Sequence, residues 1–360
     1  MNTEKKNKVS FEKFRGAPRK VVRMSRESIL ITSYLRAAPD FPLVMQPAVE
    51  NMNLVEWAAA NRPFIEAQLL AHGAILFRGF NVESTTRFEQ FTKALSPTLL
   101  DYKERAAPRS EVMRNIYTST EYPADQHIPL HHEMSYSHNW PTKIWFFCAQ
   151  PAMHGGRTPI ASDRKVFPLI DPAIKKRFME KRVMYIRNYG EGVDLPWQDV
   201  FQTTSREAVE VYCRQSHMAF EWRDHNRLRT RQVRQAVATH PTTGEMVWFN
   251  HAHLFHESNL EPSVREALSA EFRADEFPRN AFYGDGSSIE DSVLDKIREI
   301  YRQAAIFFDW QKGDILMLDN FLASHGREPY AGDRRILVAL AELYINAEIG
   351  HPDPDGRVRS

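Results

Sequence analysis

The sequence predicts a mainly β protein with helical insertions, of the β-sandwich or jelly-roll type. Short apolar β segments are scattered along the chain and are not separated by regularly spaced helices, which is unlike the alternation of a doubly wound α/β fold. The helical patterns occur early and in the middle of the chain instead. This arrangement fits a two-sheet β architecture with one large insertion between the outer β segments.

Three parts are expected along the 360-residue chain. Residues 1–38 should form a basic, partly mobile leader, because charges recur through it and no apolar stretch follows its early lysines; a docking arm for an acidic partner is the alternative. Residues 39–350 should form a single domain with a helical insertion at about 165–310. Residues 351–360, rich in proline and charge, should form a frayed tail.

Composition argues against several classes of protein. The 47 basic and 46 acidic residues give a formal net charge of +1, which is unlike a nucleic-acid or membrane-surface binder. The longest apolar run near the N-terminus, Ile29 to Ile31, is far too short to span a bilayer. Two buried free thiols, Cys148 and Cys213, suit a reducing cytoplasm, which is the expected compartment. Two cysteines do not form a disulfide framework or a zinc-finger pattern. The sequence leaves the oligomeric state open, a homo-oligomer included.

The individual elements follow from periodicity and capping. Residues 53–72 have apolar positions at helical spacing between Asn53 and Gly73, which predicts one helix. A short strand follows at 74–80, and Ser84 precedes an amphipathic helix over 84–95. Further elements are predicted as follows: a β-prone segment at 129–149, helices at 206–220, 260–275 and 289–303, and strands at 246–250, 314–320 and 334–344.

The pair His131 and Glu133 is the strongest candidate for chemistry. Alternate side chains of a strand share one face, so both would project to the same side and His132 to the other. His325 is the best third ligand, because it follows a β segment and precedes Gly326, where another backbone can pass closely. Two histidines and one carboxylate on one face of an octahedral metal leave three positions open, which suits non-haem iron(II).

Other interpretations of this pair stay open. A zinc hydrolase could use the same three ligands with a water, although no HExxH motif is present. The pattern H-x-[DE] also arises by chance, and His131 could be a core histidine bonded to a backbone carbonyl.

Two further segments could serve a carboxylate-bearing co-substrate. The run Gly155-Gly156-Arg157-Thr158 predicts a tight turn that presents the Thr158 hydroxyl toward a cavity. Arg334 and Arg335 begin the last apolar β segment, and a planar guanidinium binds carboxylate in a bidentate manner. On an alternating strand only one of the two arginines can point inward.

Read in order, these pieces resemble a known family. H-x-E, G-G-x-T, W-x-x-G-D-I-L-x-L-D-N-x-x-x-x-H-G-R and G-D-R-R-I-L are similar to the taurine dioxygenase (TauD/TfdA) family of iron(II)/2-oxoglutarate oxygenases, over roughly residues 70–345. Within it, YTSTEYPADQHIPLHHEMSYS, YGDGSSIE and HPTTGEMVWFN look most like the syringomycin-type amino-acid β-hydroxylases.

The resemblance implies a double-stranded β-helix (jelly-roll) oxygenase core that uses Fe(II), with 2-oxoglutarate and O2 as co-substrates. It implies iron bound by His131, Glu133 and His325, with Thr158 and Arg335 on the distal carboxylate of 2-oxoglutarate. Ala339 stands where taurine-binding members carry a further arginine, which weighs against taurine. Related halogenases place chloride where Glu133 stands, so hydroxylation is favoured over chlorination, while desaturation and epoxidation stay open.

The implied activity is hydroxylation of an unactivated carbon in an amino acid or a carrier-tethered aminoacyl group of non-ribosomal peptide or other secondary metabolism. An aminoacyl carrier protein could dock on the basic leader and on the arginines of residues 227–234. Candidate substrate contacts are Asn250, which could equally cap a turn, and Trp248, Glu121, Tyr122 and Arg164. A non-catalytic 2-oxoglutarate or metal-binding module and a zinc hydrolase remain the alternative functions.

Overall fold

The computed structural model describes residues 29–35, 40–102, 104, 106, 109–119, 121–190 and 194–346. Most of the predicted leader and all of the predicted tail lie outside these residues. The described part of the leader belongs to the domain, because Leu30–Tyr34 forms a strand that pairs antiparallel with Leu43–Pro47. The leader boundary at residue 38 is therefore corrected: residues 30–34 belong to the sheet.

The part of the chain that the structure describes contains nineteen strands. They are β1 (Leu30–Tyr34), β2 (Leu43–Pro47), β3 (Ala74–Phe77), β4 (Glu111–Met113), β5 (Ile116–Thr118), β6 (Ile128–His131), β7 (Asn139–Gln150), β8 (His154–Gly155), β9 (Ile160–Ser162), β10 (Val183–Tyr189), β11 (Ala219–Arg223), β12 (Arg227–Arg234), β13 (Val237–Thr239), β14 (Met246–Trp248), β15 (Arg279–Tyr283), β16 (Ile315–Asp319), β17 (Ala323–Arg327), β18 (Tyr330–Ala331) and β19 (Arg335–Ile345).

The structure also describes ten α-helices. The α-helices are α1 (Leu54–Ala60), α2 (Arg62–His72), α3 (Thr85–Leu95), α4 (Asp163–Leu169), α5 (Pro172–Lys181), α6 (Trp197–Phe201), α7 (Arg206–Gln215), α8 (Ala252–Phe255), α9 (Pro262–Glu271) and α10 (Asp291–Ala304). Single 3₁₀ turns lie at Glu257–Asn259 and Ala274–Glu276. None of the helices described here combines the length and apolarity needed to cross a membrane.

The major sheet has eight strands in the order β1-β2-β3-β16-β7-β19-β5-β4. Its long central strand β19 is buried on both faces. Ile336, Val338 and Leu340 pack into the cluster on the inner face, whereas Leu337 and Ala339 pack into the cluster beneath helices α1 to α3. Such a strand shows a continuous apolar run rather than alternation, which is how ILVALA appears in the sequence.

Short sheets form the second layer of the β core. These are the three-stranded sheet β6-β17-β9 and the two-stranded sheets β18-β8 and β13-β14. Residues of β9, β13, β14 and β17 share the inner hydrophobic cluster with β7, β16 and β19 of the major sheet. Two layers of strands around one core, antiparallel except for the parallel pair β2 and β3, give the predicted jelly-roll architecture.

The insertion at about 165–310 is not purely helical, which corrects the prediction. It contains a separate four-stranded sheet in the order β11-β12-β10-β15, as well as helices α5 to α10. The arginine-rich β12 is the middle of this sheet, so it does not form the predicted cationic docking face. Arg229 and Arg234 are buried and bond to neighbouring polar groups, and only Arg231 is clearly exposed.

The helix predicted over 53–72 is two helices that meet at Asn61. Pro63 stands at the start of α2, where its missing N–H and its ring are incompatible with a continuous helix. The Asn61 side chain donates to the Trp57 carbonyl at 2.8 Å and closes the first helix. Gly73 ends α2 with a left-handed φ of 73°, as its position in the sequence predicts.

We predict that two leucines on β19 will differ strongly in their contribution to stability. Leu340 is 1% exposed, whereas Leu343 on the same strand is 50% exposed. Leu340→Ala should lower the free energy of unfolding by about 2–5 kcal/mol because it opens a cavity in the core. Leu343→Ala should change it by less than about 0.5 kcal/mol. Urea unfolding measures both, and equal losses would contradict the assigned strand faces.

Candidate metal and co-substrate site

Strands β6 and β17 bring His131 and His325 together. The two residues are direct antiparallel partners, and their ring centroids lie 4.6 Å apart. Directly opposed residues of an antiparallel pair project to the same face. The His131 Nδ1–H donates to the Pro129 carbonyl at 2.8 Å, so the Nε2 lone pair remains available to a ligand.

Gly326 permits this close pairing. A Cβ at that position would lie 2.6 Å from the Ile128 carbonyl oxygen, which no side chain tolerates. The close backbone approach expected beside His325 is therefore present.

Glu133 reaches the same place from a turn rather than from a strand. β6 ends at His131, and residues 133–136 form a turn, so the predicted strand alternation does not hold at Glu133. Asn320 fixes the backbone of Glu133 instead. Its Oδ1 accepts from the Glu133 N–H at 2.8 Å, and its Nδ2 donates to the Glu133 carbonyl at 2.9 Å. His132 points away, with Nδ1 donating to the Asn320 carbonyl at 2.7 Å.

Three potential ligands thus converge. Each of the three residues, His131, Glu133 and His325, offers one ligand atom, and these atoms lie within 4.8 Å of one another. Glu133 Oε2 is 3.6 Å from His325 Nε2. Burial would raise the pKa of Glu133, but Arg109 and the histidines hold that pKa well below its usual range. Burial lowers the pKa of His131 to about 3 and lowers the pKa of His325 as well. Ionised carboxylate and neutral imidazole are the forms that bind a metal, so this set fits an iron(II) ion.

Two residues that sequence reasoning missed hold the Glu133 carboxylate. The Tyr102 hydroxyl donates to Oε1 at 2.8 Å, and Arg109 Nη2 donates to Oε2 at 2.9 Å. The Arg109 guanidinium also lies over the Tyr102 ring, 4.3 Å from its centroid. Both residues precede β4 in a polar stretch with no periodicity or motif, so no sequence signal indicates them.

A cavity joins the histidines to the predicted co-substrate end. His131, His325, Phe146, Thr158 and Arg334 are among its lining residues. The Thr158 hydroxyl accepts from the Trp310 indole N–H at 3.0 Å. The glycines before Thr158 have φ values of 67° and 69°, so the predicted tight turn is present.

Arg334 is poised for an anion. Its Nε donates to the Gly156 carbonyl at 3.0 Å and its Nη1 to the Ser119 hydroxyl at 3.3 Å. No carboxylate of the described residues forms a salt bridge with it, and burial lowers its pKa to about 10. A guanidinium that lines a cavity without a partner charge fits the distal carboxylate of 2-oxoglutarate.

Comparisons with known proteins agree with this geometry. The sequence model of the family described as "Taurine catabolism dioxygenase TauD, TfdA family" matches residues 39–340. The chain is 43% identical over 285 residues to the dapdiamide synthesis protein DdaC of Enterobacter agglomerans, covering 79% of this chain and 87% of DdaC. The chain belongs to the TauD/TfdA dioxygenase family.

More distant relatives extend the similarity. A clavaminate synthase-like protein of Arabidopsis thaliana is 28% identical over 307 residues, covering 82% of this chain and 89% of that protein. The crystal structure of PvcB from Pseudomonas aeruginosa superposes with a TM-score of 0.54 at 18% identity, covering 90% of this chain and 97% of PvcB. This last similarity concerns the fold, and it agrees with the predicted jelly-roll core.

The predicted family and fold class are therefore confirmed. As a TauD/TfdA dioxygenase the chain uses Fe(II), 2-oxoglutarate and O2, which confirms the expected cofactors.

The structure distinguishes the two arginines, of which the resemblance implies Arg335. Arg335 is exposed, and Arg334 lines the cavity. The inner face of β19 carries Ile336 and Val338, so alternation places residue 334 on that face and residue 335 on the outer one. The position four residues beyond the cavity arginine is then Val338 rather than Ala339. Both are apolar, so the argument against sulfonate recognition is unchanged.

The predicted substrate contacts do not line this cavity. Both ends of the Asn250 amide are bonded to backbone, with Nδ2 donating to the Ala236 carbonyl at 2.8 Å and Oδ1 accepting from the Ala252 N–H at 3.0 Å. The turn-capping alternative is thus the one observed. Trp248 is fully buried and packs against Phe178 in the core.

The remaining candidates are also committed elsewhere. Arg164 forms a salt bridge with Glu245 at 2.7 Å. Glu121 is exposed and accepts from the Thr118 hydroxyl at 2.9 Å, and Tyr122 is 45% exposed. Turns and surfaces use the same residue types as substrate contacts, so isolated polar residues near β segments do not distinguish between these roles.

We predict that the chelator-treated protein loses stability below about pH 6.5. His253 is 1% exposed, donates through Nε2 to the Leu130 carbonyl, and has its pKa lowered by burial to about 4 from 6.5. The stability that neutral His253 contributes is complete above its pKa in the unfolded state. It is lost as the pH falls toward its pKa in the folded state. Between these two pKa values, protonation of His253 should lower the free energy of unfolding by about 1.4 kcal/mol per pH unit.

His253→Gln provides the control, because an amide can still donate to the carbonyl but does not titrate. Urea unfolding between pH 7 and pH 4 should show that the free energy of unfolding falls less steeply with pH in this variant than in wild type. The difference in slope should equal the contribution of His253. Parallel pH profiles would show that His253 is not held neutral in the folded protein.

Proposed function

We propose that this dioxygenase hydroxylates an unactivated carbon of an amino acid or aminoacyl group in secondary metabolism. The observation that carries the proposal is one cavity whose lining includes His131 and His325 of the potential metal-ligand set and also Arg334, which has no salt-bridge carboxylate among the described residues. A metal that must bind a chelating co-substrate and O2 together needs three open positions, and two histidines with one carboxylate leave three.

Each residue has a stated task in this proposal. His131, His325 and Glu133 would hold iron(II), and bound iron supplies, with 2-oxoglutarate and O2, the oxidising power to cleave a C–H bond. Arg334 pairs with the distal carboxylate of 2-oxoglutarate, and the Thr158 hydroxyl hydrogen-bonds to it. Phe146, whose ring centroid lies 4.9 Å from that of His325, excludes water from one side of the site.

The substrate class rests on similarity and on the metal carboxylate. DdaC takes part in dapdiamide synthesis by its name, and the sequence resembles amino-acid β-hydroxylases of peptide pathways. Glu133 occupies the position that halogenases leave to chloride, which favours hydroxylation. The arginines of β12 give no support to carrier docking, because Arg229 and Arg234 are buried. Oxygen consumption with free and with carrier-loaded amino acids decides between the two forms of substrate.

We predict a visible charge-transfer band when the protein is loaded anaerobically with iron(II) and titrated with 2-oxoglutarate. His131→Ala and His325→Ala should abolish the band, because each removes one of three ligands. His154→Ala is the control, since His154 is exposed and outside the ligand set. If folded wild type gives no band, the oxygenase assignment is wrong. Hydrolysis independent of 2-oxoglutarate would favour the zinc hydrolase, and binding without turnover the non-catalytic module.

We also predict that the two neighbouring arginines differ in their effect on 2-oxoglutarate. Arg334→Ala should raise the Kd for 2-oxoglutarate by about 10- to 100-fold, because a charged hydrogen bond contributes about 1.5–3 kcal/mol. Arg335→Ala should leave that Kd unchanged, because Arg335 is exposed. The charge-transfer titration measures both values. The opposite order would restore Arg335 as the co-substrate residue.

A further inference from the structure

The carboxylate of Glu133 is hydrogen-bonded on both oxygens by buried residues. Tyr102 is 2% exposed and donates to Oε1, whereas Arg109 is 6% exposed and donates to Oε2. These are charge-assisted bonds of 2.8 Å and 2.9 Å, and together they fix the rotation of the carboxylate plane.

The two oxygens do not face the histidines equally. Oε2 is 3.6 Å from His325 Nε2, while Oε1 is engaged by the Tyr102 hydroxyl. A carboxylate oxygen offers two lone-pair directions, so Oε2 can accept from Arg109 and still bind a metal. Metal-binding carboxylates occur in both one-oxygen and two-oxygen modes. A two-oxygen mode would occupy one of the three positions that co-substrate and O2 require.

We propose that Tyr102 and Arg109 are positioning residues that keep Glu133 a one-oxygen ligand through Oε2. Tyr102 withholds Oε1 from the metal, and Arg109 orients Oε2 and balances its charge. The inference rests on the proposed function, because it assigns a task to residues that act through one of the proposed iron ligands.

The fold holds Tyr102 in place, and the Arg109 guanidinium lies over its ring. The Tyr102 N–H donates to the Tyr117 hydroxyl at 3.2 Å, and the Tyr102 ring belongs to the inner core cluster. Two residues on, the buried Glu104 accepts from Gln232 at 2.8 Å and from the Tyr212 hydroxyl at 3.0 Å. Tyr102 is therefore tied to the β core, and Glu104 ties the chain beside it to β12 and α7 of the insertion.

Tyr102→Phe tests the proposal with little change in packing, because it removes one hydroxyl. Cobalt(II) serves as the metal probe, since its visible spectrum reports coordination number and its binding needs no O2. The variant should show an altered cobalt spectrum, and the Kd for 2-oxoglutarate on the cobalt-loaded protein should rise by at least about tenfold.

Tyr189→Phe is the matched control. It is the same change on a fully buried ring, but the Tyr189 hydroxyl bonds to the Thr230 hydroxyl at 3.2 Å rather than to Glu133. It should leave both readouts at their wild-type values. A Tyr102→Phe protein with the wild-type spectrum and Kd would overturn the proposal, as would equal changes in the two variants.

Arg109→Met supplies a second, independent readout. Removing the counter-charge of a buried carboxylate should lower the Tm of the metal-free protein by several degrees. Cobalt(II) should then raise the Tm by more than it does in wild type, because the ion replaces the lost positive charge. Arg335→Met, at an exposed arginine, should show the wild-type increase. An equal increase in Arg109→Met and wild type would refute the role of Arg109.

These measurements distinguish an error in the proposed function from an error in the roles of Tyr102 and Arg109. Wild type that binds neither cobalt(II) nor 2-oxoglutarate would contradict the proposed function itself. Wild type that binds both, with variants that behave like it, would contradict only the roles of Tyr102 and Arg109.

Discussion

The antiparallel pairing of β6 with β17 is the constraint on which the site depends. It places His131 directly opposite His325, two histidines from opposite halves of the sequence. The pairing is possible because Gly326 leaves room for the Ile128 carbonyl. A site built on strand register inherits the rigidity of the sheet, because a slip of either strand by one residue would turn its histidine ring to the other face.

Charge is the second organising factor. Glu133 is ionised in a buried setting, and an isolated buried carboxylate is costly unless it is paired and hydrogen-bonded. Arg109 and Tyr102 supply those partners, while Asn320 fixes the backbone behind the carboxylate. At the other end of the cavity Arg334 has no partner carboxylate among the described residues. The negative charge of Glu133 is thus balanced beside the histidines. The positive charge of Arg334 is left without a partner carboxylate among the described residues, which fits an anion.

Strand periodicity and motif order were sufficient to predict the jelly-roll core and the convergence of the three potential ligands. They were insufficient where tertiary packing decides. Glu133 turned out to lie in a turn, and the four-stranded sheet of the insertion was missed because its strands carry polar residues such as those of β12. The choice between Arg334 and Arg335 could have been made from alternation along ILVAL, had the inner face of β19 been identified. Arg109 lies in a polar loop, where no periodicity indicates which side chain turns inward.

The topology of the major sheet also bears on how the chain acquires its structure during synthesis. β7, at Asn139–Gln150, pairs with β16 and β19, and these begin only at Ile315 and Arg335. More than half of the domain must leave the ribosome before this apolar strand finds either neighbour. Contacts of such sequence separation fold slowly. An unpaired, apolar β7 is therefore the segment that a chaperone would have to shield until β19 arrives.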